Sequence, residues 1–174
     1  MTGMSKFLDT LSSVAILIVA VLVGGLVVRE YLAPAPKSRP PQIGAGQTIP
    51  LKEINWAESP KHLVLALSSR CRYCTESAPF YQRLVRQAEK QLDVDLIAFF
   101  PQTVAEGADY LEKLSVPVAK IRQVPFKSVP ISATPTILLV NSSGTVEKTW
   151  VGKLPAKAEL EMMGEIGCRE SCDQ

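Results

Sequence analysis

The chain has 174 residues, 47% of them apolar and 21% charged, enough for one full-sized domain with additions and in the proportions of an ordinary globular protein. Its 19 basic and 17 acidic side chains leave a net charge of +2 and are interspersed, so the charge pattern excludes a nucleic-acid footprint. The single histidine, His62, excludes catalysis by a histidine pair and a histidine-rich metal site; beside Lys61 at the start of an apolar run it reads as a surface or strand-edge residue without a role.

From Thr10 to Val28 the sequence TLSSVAILIVAVLVGGLVV carries no charge and is apolar almost throughout. As a helix it rises roughly 28 Å, close to the hydrocarbon thickness of a bilayer. A cleaved signal peptide is the rival reading, since Lys6 supplies a positive start and Ala33-Pro34-Ala35 resembles a cleavage site. The run exceeds the usual apolar stretch of such a peptide, and Pro36 suits a protease-bound extended backbone poorly, so an uncleaved anchor is expected. The predicted organisation is a short tail over 1–9, a transmembrane helix over 10–32, a linker over 33–48 and a folded domain over 49–174. Arg29, Lys37 and Arg39 follow the span and favour a cytoplasmic carboxyl side by count. Long domains translocate largely regardless of charge, and a short amino tail stays inside, so the domain is expected outside the cytoplasm. The linker begins APAPKSRPPQIGAG, with four prolines, two glycines and almost nothing to bury.

HLVLALSS, residues 62–69, is an apolar run ending in serines, as a buried central strand would be. After the cysteines, Ala78, Tyr81, Leu84, Val85, Ala88 and Leu92 recur at helical spacing. VDLIAFF is a second strand, and TVAEGADYLEKLS is a helix with Val104, Ala108 and Leu111 on one face. VAKIR forms a short strand, and TPTILLVNSSGTVEKTWVG is two strands joined by the turn NSSG. PAKAELEMMGEIG closes the pattern as a helix with Pro155 in its first turn and Leu160, Met163 and Ile166 on one face. This order predicts an α/β domain, a mixed sheet flanked by helices.

The four cysteines fall into the pairs Cys71/Cys74 and Cys168/Cys172. In SSRCRYCTES, Cys71 lies where a helix begins, near unsatisfied backbone N–H groups, and Arg70 and Arg72 add positive charge, so a thiolate is favoured there. Cys74, one turn on and deeper, faces the first sulfur. The pair thus divides into an exposed nucleophile and a recessed partner that resolves a mixed disulfide.

The strand, the C-x-x-C pair, the helix with Pro79 five residues after Cys74 and the much later Thr134-Pro135 opening a strand resemble the thioredoxin fold, over roughly residues 49–166. With the anchor and SATPTILLVNSSGTVEKTWVGKLP, the chain is most similar to the membrane-tethered TlpA/ResA-like thiol-disulfide oxidoreductases of the bacterial envelope. The resemblance implies Cys71 as nucleophile, Cys74 as resolving thiol, a cis Thr134-Pro135 bond as substrate ledge, and no cofactor or metal. It further implies a single-pass protein of the inner membrane with its domain facing the periplasm, a monomer that acts on disulfide-containing envelope proteins or with a membrane electron-donor oxidoreductase. The chain departs from the pattern in having Arg70 where a tryptophan is usual before the first cysteine, and Leu65 where thioredoxin buries an acid; Glu76 is a weak substitute as proton acceptor.

Other readings compete. Zinc would need both cysteine pairs, which lie 94 residues apart with an unusual second spacing. A peroxiredoxin-like peroxidase shares the Ser68-x-x-Cys71 spacing but has Val64 where its proline is needed. A redox-inactive binding or scaffold module is the non-enzymatic alternative, against which both cysteines argue, and a purely structural Cys71–Cys74 ring would stabilise little. Cys168 and Cys172 read as a local structural disulfide, with exchange between them and Cys71 as the sharper alternative.

Overall fold

The computed structural model describes residues 17–25 and 42–167. The chain divides into two compact units, Met1–Arg39 and Pro40–Gln174. In the first, residues 17–25 are helical, with Leu17, Ile18 and Leu22 exposed. Among the described residues no helix is long and apolar enough to cross a membrane, and most of the anchor expected over 10–32 lies outside them.

The second unit is built on a five-stranded sheet formed by β1 (Lys61–Ala66), β2 (Val94–Phe100), β3 (Lys120–Gln123), β4 (Thr136–Asn141) and β5 (Val146–Val151). The spatial order is β3-β2-β1-β4-β5. β1, β2 and β3 are mutually parallel, whereas β4 runs antiparallel to β1 and pairs with β5 in a hairpin. The expected mixed sheet is therefore present. β1 is central and buried on both faces, which is why its sequence is a continuous apolar run rather than an alternation. Its side chains still alternate in direction: Leu63 and Leu65 enter one core, Val64 and Ala66 the other.

The two faces of the sheet are covered differently. α1 (Arg72–Glu76), α2 (Ala78–Ala88), α3 (Val104–Lys113) and α4 (Ala156–Gly167) follow in chain order. Phe80, Leu84, Leu111, Met162 and Ile166 from the three longer helices share one core with Leu63 and Leu65. The opposite face is closed by irregular chain carrying Ile43, Ile49, Trp56, Val129 and Ile131. Ile43 belongs to the stretch that composition assigned to the linker. It is 1% exposed, its N–H donates to the Pro130 carbonyl, and Gly46 and Gln47 exchange backbone hydrogen bonds with Val146. The folded domain thus already includes residues 42–48.

Three apolar positions expected to be buried are not. Leu92 lies beyond the end of α2, Val104 is the first residue of α3, and Leu160 points outward from α4, where Met162 is buried instead. The start of α3 is fixed by a capping box, in which Thr103 Oγ1 accepts from the Glu106 N–H and the Glu106 carboxylate accepts from the Thr103 N–H. The β4–β5 turn needs Gly144, whose φ is +77° and whose α-carbon lies against the Trp56 ring; a Cβ there would sit 2.8 Å from the ring.

His62 is fully buried rather than at a surface or edge. Its Nε2 lies 2.7 Å from the Trp56 carbonyl and its Nδ1 lies 3.2 Å from Asp95. Lys120 bridges Asp95 and Glu58 at 2.9 Å each, so this network ties the 3-10 turn Trp56–Glu58 to the first three strands.

Candidate active site

Beyond β1 the backbone continues one further ladder bond, from the Leu67 N–H to the Phe99 carbonyl, and then turns sharply through Ser68, Ser69 and Arg70. The Cys71 N–H donates back to the Ser68 carbonyl at 3.0 Å, which places Cys71 at the N-cap of α1 with extended backbone. A cap side chain normally satisfies an orphan N–H with oxygen; here sulfur does so, Cys71 Sγ accepting from the Cys74 N–H at 3.2 Å. The same sulfur donates to the Thr134 carbonyl at 3.2 Å. Both cysteines are free thiols, Cys71 half-buried and Cys74 fully buried.

The sequence reads residues 74–92 as one helix, but the structure breaks it at Ser77. The Ser77 hydroxyl donates to the Tyr73 carbonyl and closes α1, and α2 begins at Ala78 with Pro79 in its first turn, where the missing N–H costs no hydrogen bond. The proline therefore opens a new helix rather than bending a continuous one. The five-residue α1 carries the cysteine pair on its own short element.

On the facing side, the Thr134-Pro135 peptide is cis, as the resemblance implies. Thr134 is half-buried and Pro135 buried. Two bonds hold this corner: the Pro135 carbonyl accepts from the Gly152 N–H at 2.7 Å, and the Thr136 hydroxyl donates to the Ala133 carbonyl at 2.8 Å. Cys71, Cys74, Thr134 and Pro135, far apart in sequence, thus converge.

The charged neighbours differ from expectation. Arg72 donates to Glu76 at 2.7 Å, and Lys153, which the sequence reading missed, reaches the other oxygen of the same carboxylate at 3.0 Å. Lys153 first and Arg72 second hold the Glu76 carboxyl below the usual carboxylate range. Arg72 is therefore engaged by Glu76, and Glu76 is committed to two cations rather than poised as a proton acceptor. Arg70 is exposed and forms no ion pair among the described residues. Leu65, at the position where thioredoxin buries an acid, is an ordinary core residue with no exposure.

Burial first, and the adjacent Cys71 sulfur second through hydrogen bonding and charge, push the Cys74 thiol up to about 12. Among the described residues, no carboxylate is one of the groups that shift it. Two tyrosines absent from the predicted site lie within electrostatic reach of the thiols. Tyr81 is buried, its hydroxyl meets no partner within ordinary hydrogen-bond geometry among the described residues, and desolvation raises its pKa well above the ordinary range against a weaker opposing influence of the Ser77 side chain. Tyr110 is also raised by burial, against a 3.0 Å hydrogen bond with Thr75. In the sequence both tyrosines are indistinguishable from apolar-face helix residues. Cys168 and Cys172 lie outside the described residues.

No family model matches the chain, and no curated protein sequence matches it. Solved structures do. A putative thiol:disulfide interchange protein DsbE from Chlorobium tepidum is similar at a TM-score of 0.56 and 18% identity, covering 72% of this chain and 99% of that one. The thioredoxin domain of a thiol-disulfide oxidoreductase from Bacteroides vulgatus is similar at 0.54 and 15% identity, over 71% and 98% of the two chains. StoA from Bacillus subtilis is similar at 0.50 and 22% identity, over 71% and 96%. With the C-x-x-C pair at the start of α1 facing a cis-proline corner, the domain has the thioredoxin-like fold.

Proposed function

We propose that this chain is a thiol-disulfide oxidoreductase that reduces or exchanges disulfides through Cys71 and Cys74. The observation that carries the reading is the position of the Cys71 sulfur, which receives the Cys74 N–H and lies on the Thr134 carbonyl, 3.2 Å from each partner. These two contacts hold the sulfur at the start of α1 beside the cis-proline corner, and a half-exposed thiol can meet a disulfide from outside.

In the reducing direction, the Cys71 thiolate attacks one sulfur of the substrate disulfide, the substrate S–S bond breaks, and its second sulfur leaves as a thiolate that takes a proton from water. A Cys71–substrate mixed disulfide remains. Cys74 then loses its proton and attacks Cys71 Sγ, releasing the second substrate thiol and closing the Cys71–Cys74 disulfide. The substrate gains two electrons and the dithiol loses two. The cysteines' mutual influence orders these steps: part of what suppresses ionisation of Cys74 comes from the Cys71 sulfur, and that part is lost once Cys71 is capped in the mixed disulfide. The remaining cost is the desolvation of the buried Cys74 thiol.

The compartment belongs to the same proposal. The uncharged run from Thr10 to Val28 supports a membrane tether, and two cysteine pairs suit an oxidising envelope, where disulfide-containing proteins are the substrates. In native membranes, full-length Cys74→Ala should accumulate dithiothreitol-reversible adducts at Cys71, and Cys71→Ser should accumulate none. Equal adduct formation by the two variants would overturn the assignment. Digestion of a carboxyl-terminal tag by protease added to intact spheroplasts tests the orientation, and protection until lysis would contradict it.

A further inference from the structure

A pocket of about 240 Å³ opens beside the Thr134 corner. Its walls are Pro101, Phe126, Ile131 and Ala133, with Ser68 and Ser132 at its polar edge. Two of its lining residues hold Cys71 directly: the Ser68 carbonyl accepts the Cys71 N–H, and the Thr134 carbonyl accepts the thiol. Whatever occupies the pocket is therefore contiguous with a group bonded to the Cys71 sulfur. The volume falls below the roughly 300–1,000 Å³ of small-molecule sites, and is of the size that receives one side chain.

The chemistry of the lining narrows the occupant. No lining residue is charged, so an Asp, Glu or Lys side chain would lose its hydration without a counter-charge. The two serines are committed from behind. Ser68 Oγ accepts from Gln102 Nε2 at 2.9 Å and from the Arg70 N–H at 3.3 Å, which leaves its own proton available. Ser132 Oγ donates to Gln42 Oε1 at 2.5 Å, and the same oxygen takes the Ser132 N–H at 3.1 Å, which leaves the hydroxyl lone pairs available. The edge thus offers one donor and one acceptor, as a peptide group passing over the rim would need, and the walls offer apolar surface to the side chain that peptide carries.

Resting on the oxidoreductase reading, we infer that this pocket selects substrates in which the reacting cysteine is flanked by an uncharged, largely apolar residue, with Phe126, Ile131 and Ala133 as specificity-determining positions. The Gln42 contact also makes the start of the folded domain a support for the substrate loop. Gln42 and Ser132 are 90 positions apart, yet the first described residue of the domain orients the segment that leads into Thr134.

The test uses the reduced full-length chain and a set of cysteine peptides, each presented as its glutathione mixed disulfide. The peptides differ only in the residue before or after the cysteine: Leu, Phe, Gly, Asp or Lys. The second-order rate of reduction should favour Leu or Phe over Asp and Lys by about tenfold or more on one of the two sides, as expected for burying an apolar group against a desolvated charge. Ala133→Leu, at an exposed position, fills the pocket and should bring the Leu/Gly rate ratio close to one. Phe126→Ala widens it and should move the preference from Leu toward Phe. Because each readout is a ratio within one variant, partial misfolding does not imitate it. Turnover with no dependence on the flanking residue, or ratios unchanged in both variants, overturns the pocket assignment alone. Absence of reduction with every peptide overturns the oxidoreductase reading and the pocket with it.

Discussion

Burial of Cys74 makes the reduced domain alkali-sensitive in a specific way. In the unfolded chain this thiol ionises at its ordinary value of 9.0; in the fold it is pushed up to about 12. Below pH 9 the thiol is neutral in both states, and the fold keeps its full stability. Between the two values the unfolded state releases the proton while the folded state retains it, so the native state binds more protons and stability falls as pH rises. At about pH 10.5 the gap spans about 1.5 pH units, which corresponds to about 2 kcal/mol of lost stability. Other groups titrate in the same range, so the quantity to measure is a difference. Urea unfolding of the reduced full-length chain at about pH 8 and 10.5 should show a decline about 2 kcal/mol larger in wild type than in Cys74→Ala. Since the Cys71 sulfur is the second-largest cause of the shift, the extra decline should shrink in Cys71→Ser. Parallel pH profiles for wild type and Cys74→Ala would refute the argument, because they would mean that Cys74 ionises as readily in the fold as in the unfolded chain.

Removing the Tyr81 hydroxyl in Tyr81→Phe should change stability by less than about 1 kcal/mol, since among the described residues the Ser77 side chain beside it lies outside ordinary hydrogen-bond geometry; a larger loss in urea unfolding would show that the hydroxyl is fully bonded. His62→Leu should cost about 1–3 kcal/mol by the same measurement, because it leaves the buried Trp56 carbonyl without its donor, whereas Asp95 keeps Lys120. Gly144→Ala should cost about 1–3 kcal/mol through its positive φ and the approach of Trp56, and Trp56 fluorescence should shift with it. Glu76→Gln should leave the urea-unfolding midpoint nearly unchanged, since both ion pairs it breaks lie at the surface and are screened by solvent.

The strands were legible because β1, β4 and the second half of β2 are buried on both faces and therefore appear as apolar runs. The cysteine pair and Thr134-Pro135 were legible as short motifs, although the contact between them depends on a crossover that no local pattern encodes. The break at Ser77 was not legible: Pro79 fits the first turn of a new helix as readily as it bends an old one, and the apolar spacing runs on through both. Helical periodicity likewise placed Leu160 rather than Met162 on the buried face, because the two lie on different sides of α4 and only the packing against the sheet chooses between them. Residues 42–48 resembled linker by composition, yet one buried isoleucine and a set of backbone bonds suffice to fix them to the sheet. The commitment of Arg72 to Glu76 rather than to Cys71 was present as an i,i+4 spacing, a signal that competes directly with the role inferred from adjacency in sequence.

The central claim is that Cys71 and Cys74 form one two-electron redox couple. The full-length chain with Cys168→Ser and Cys172→Ser, equilibrated in graded dithiothreitol buffers and quenched with an alkylating agent, reports the fraction of each thiol oxidised by intact mass. The account predicts that both thiols are lost together along a single transition, with a tenfold change in the reduced-to-oxidised ratio for about every 30 mV. Loss of one thiol without the other, or two thiols that stay reduced until the domain unfolds, would contradict it.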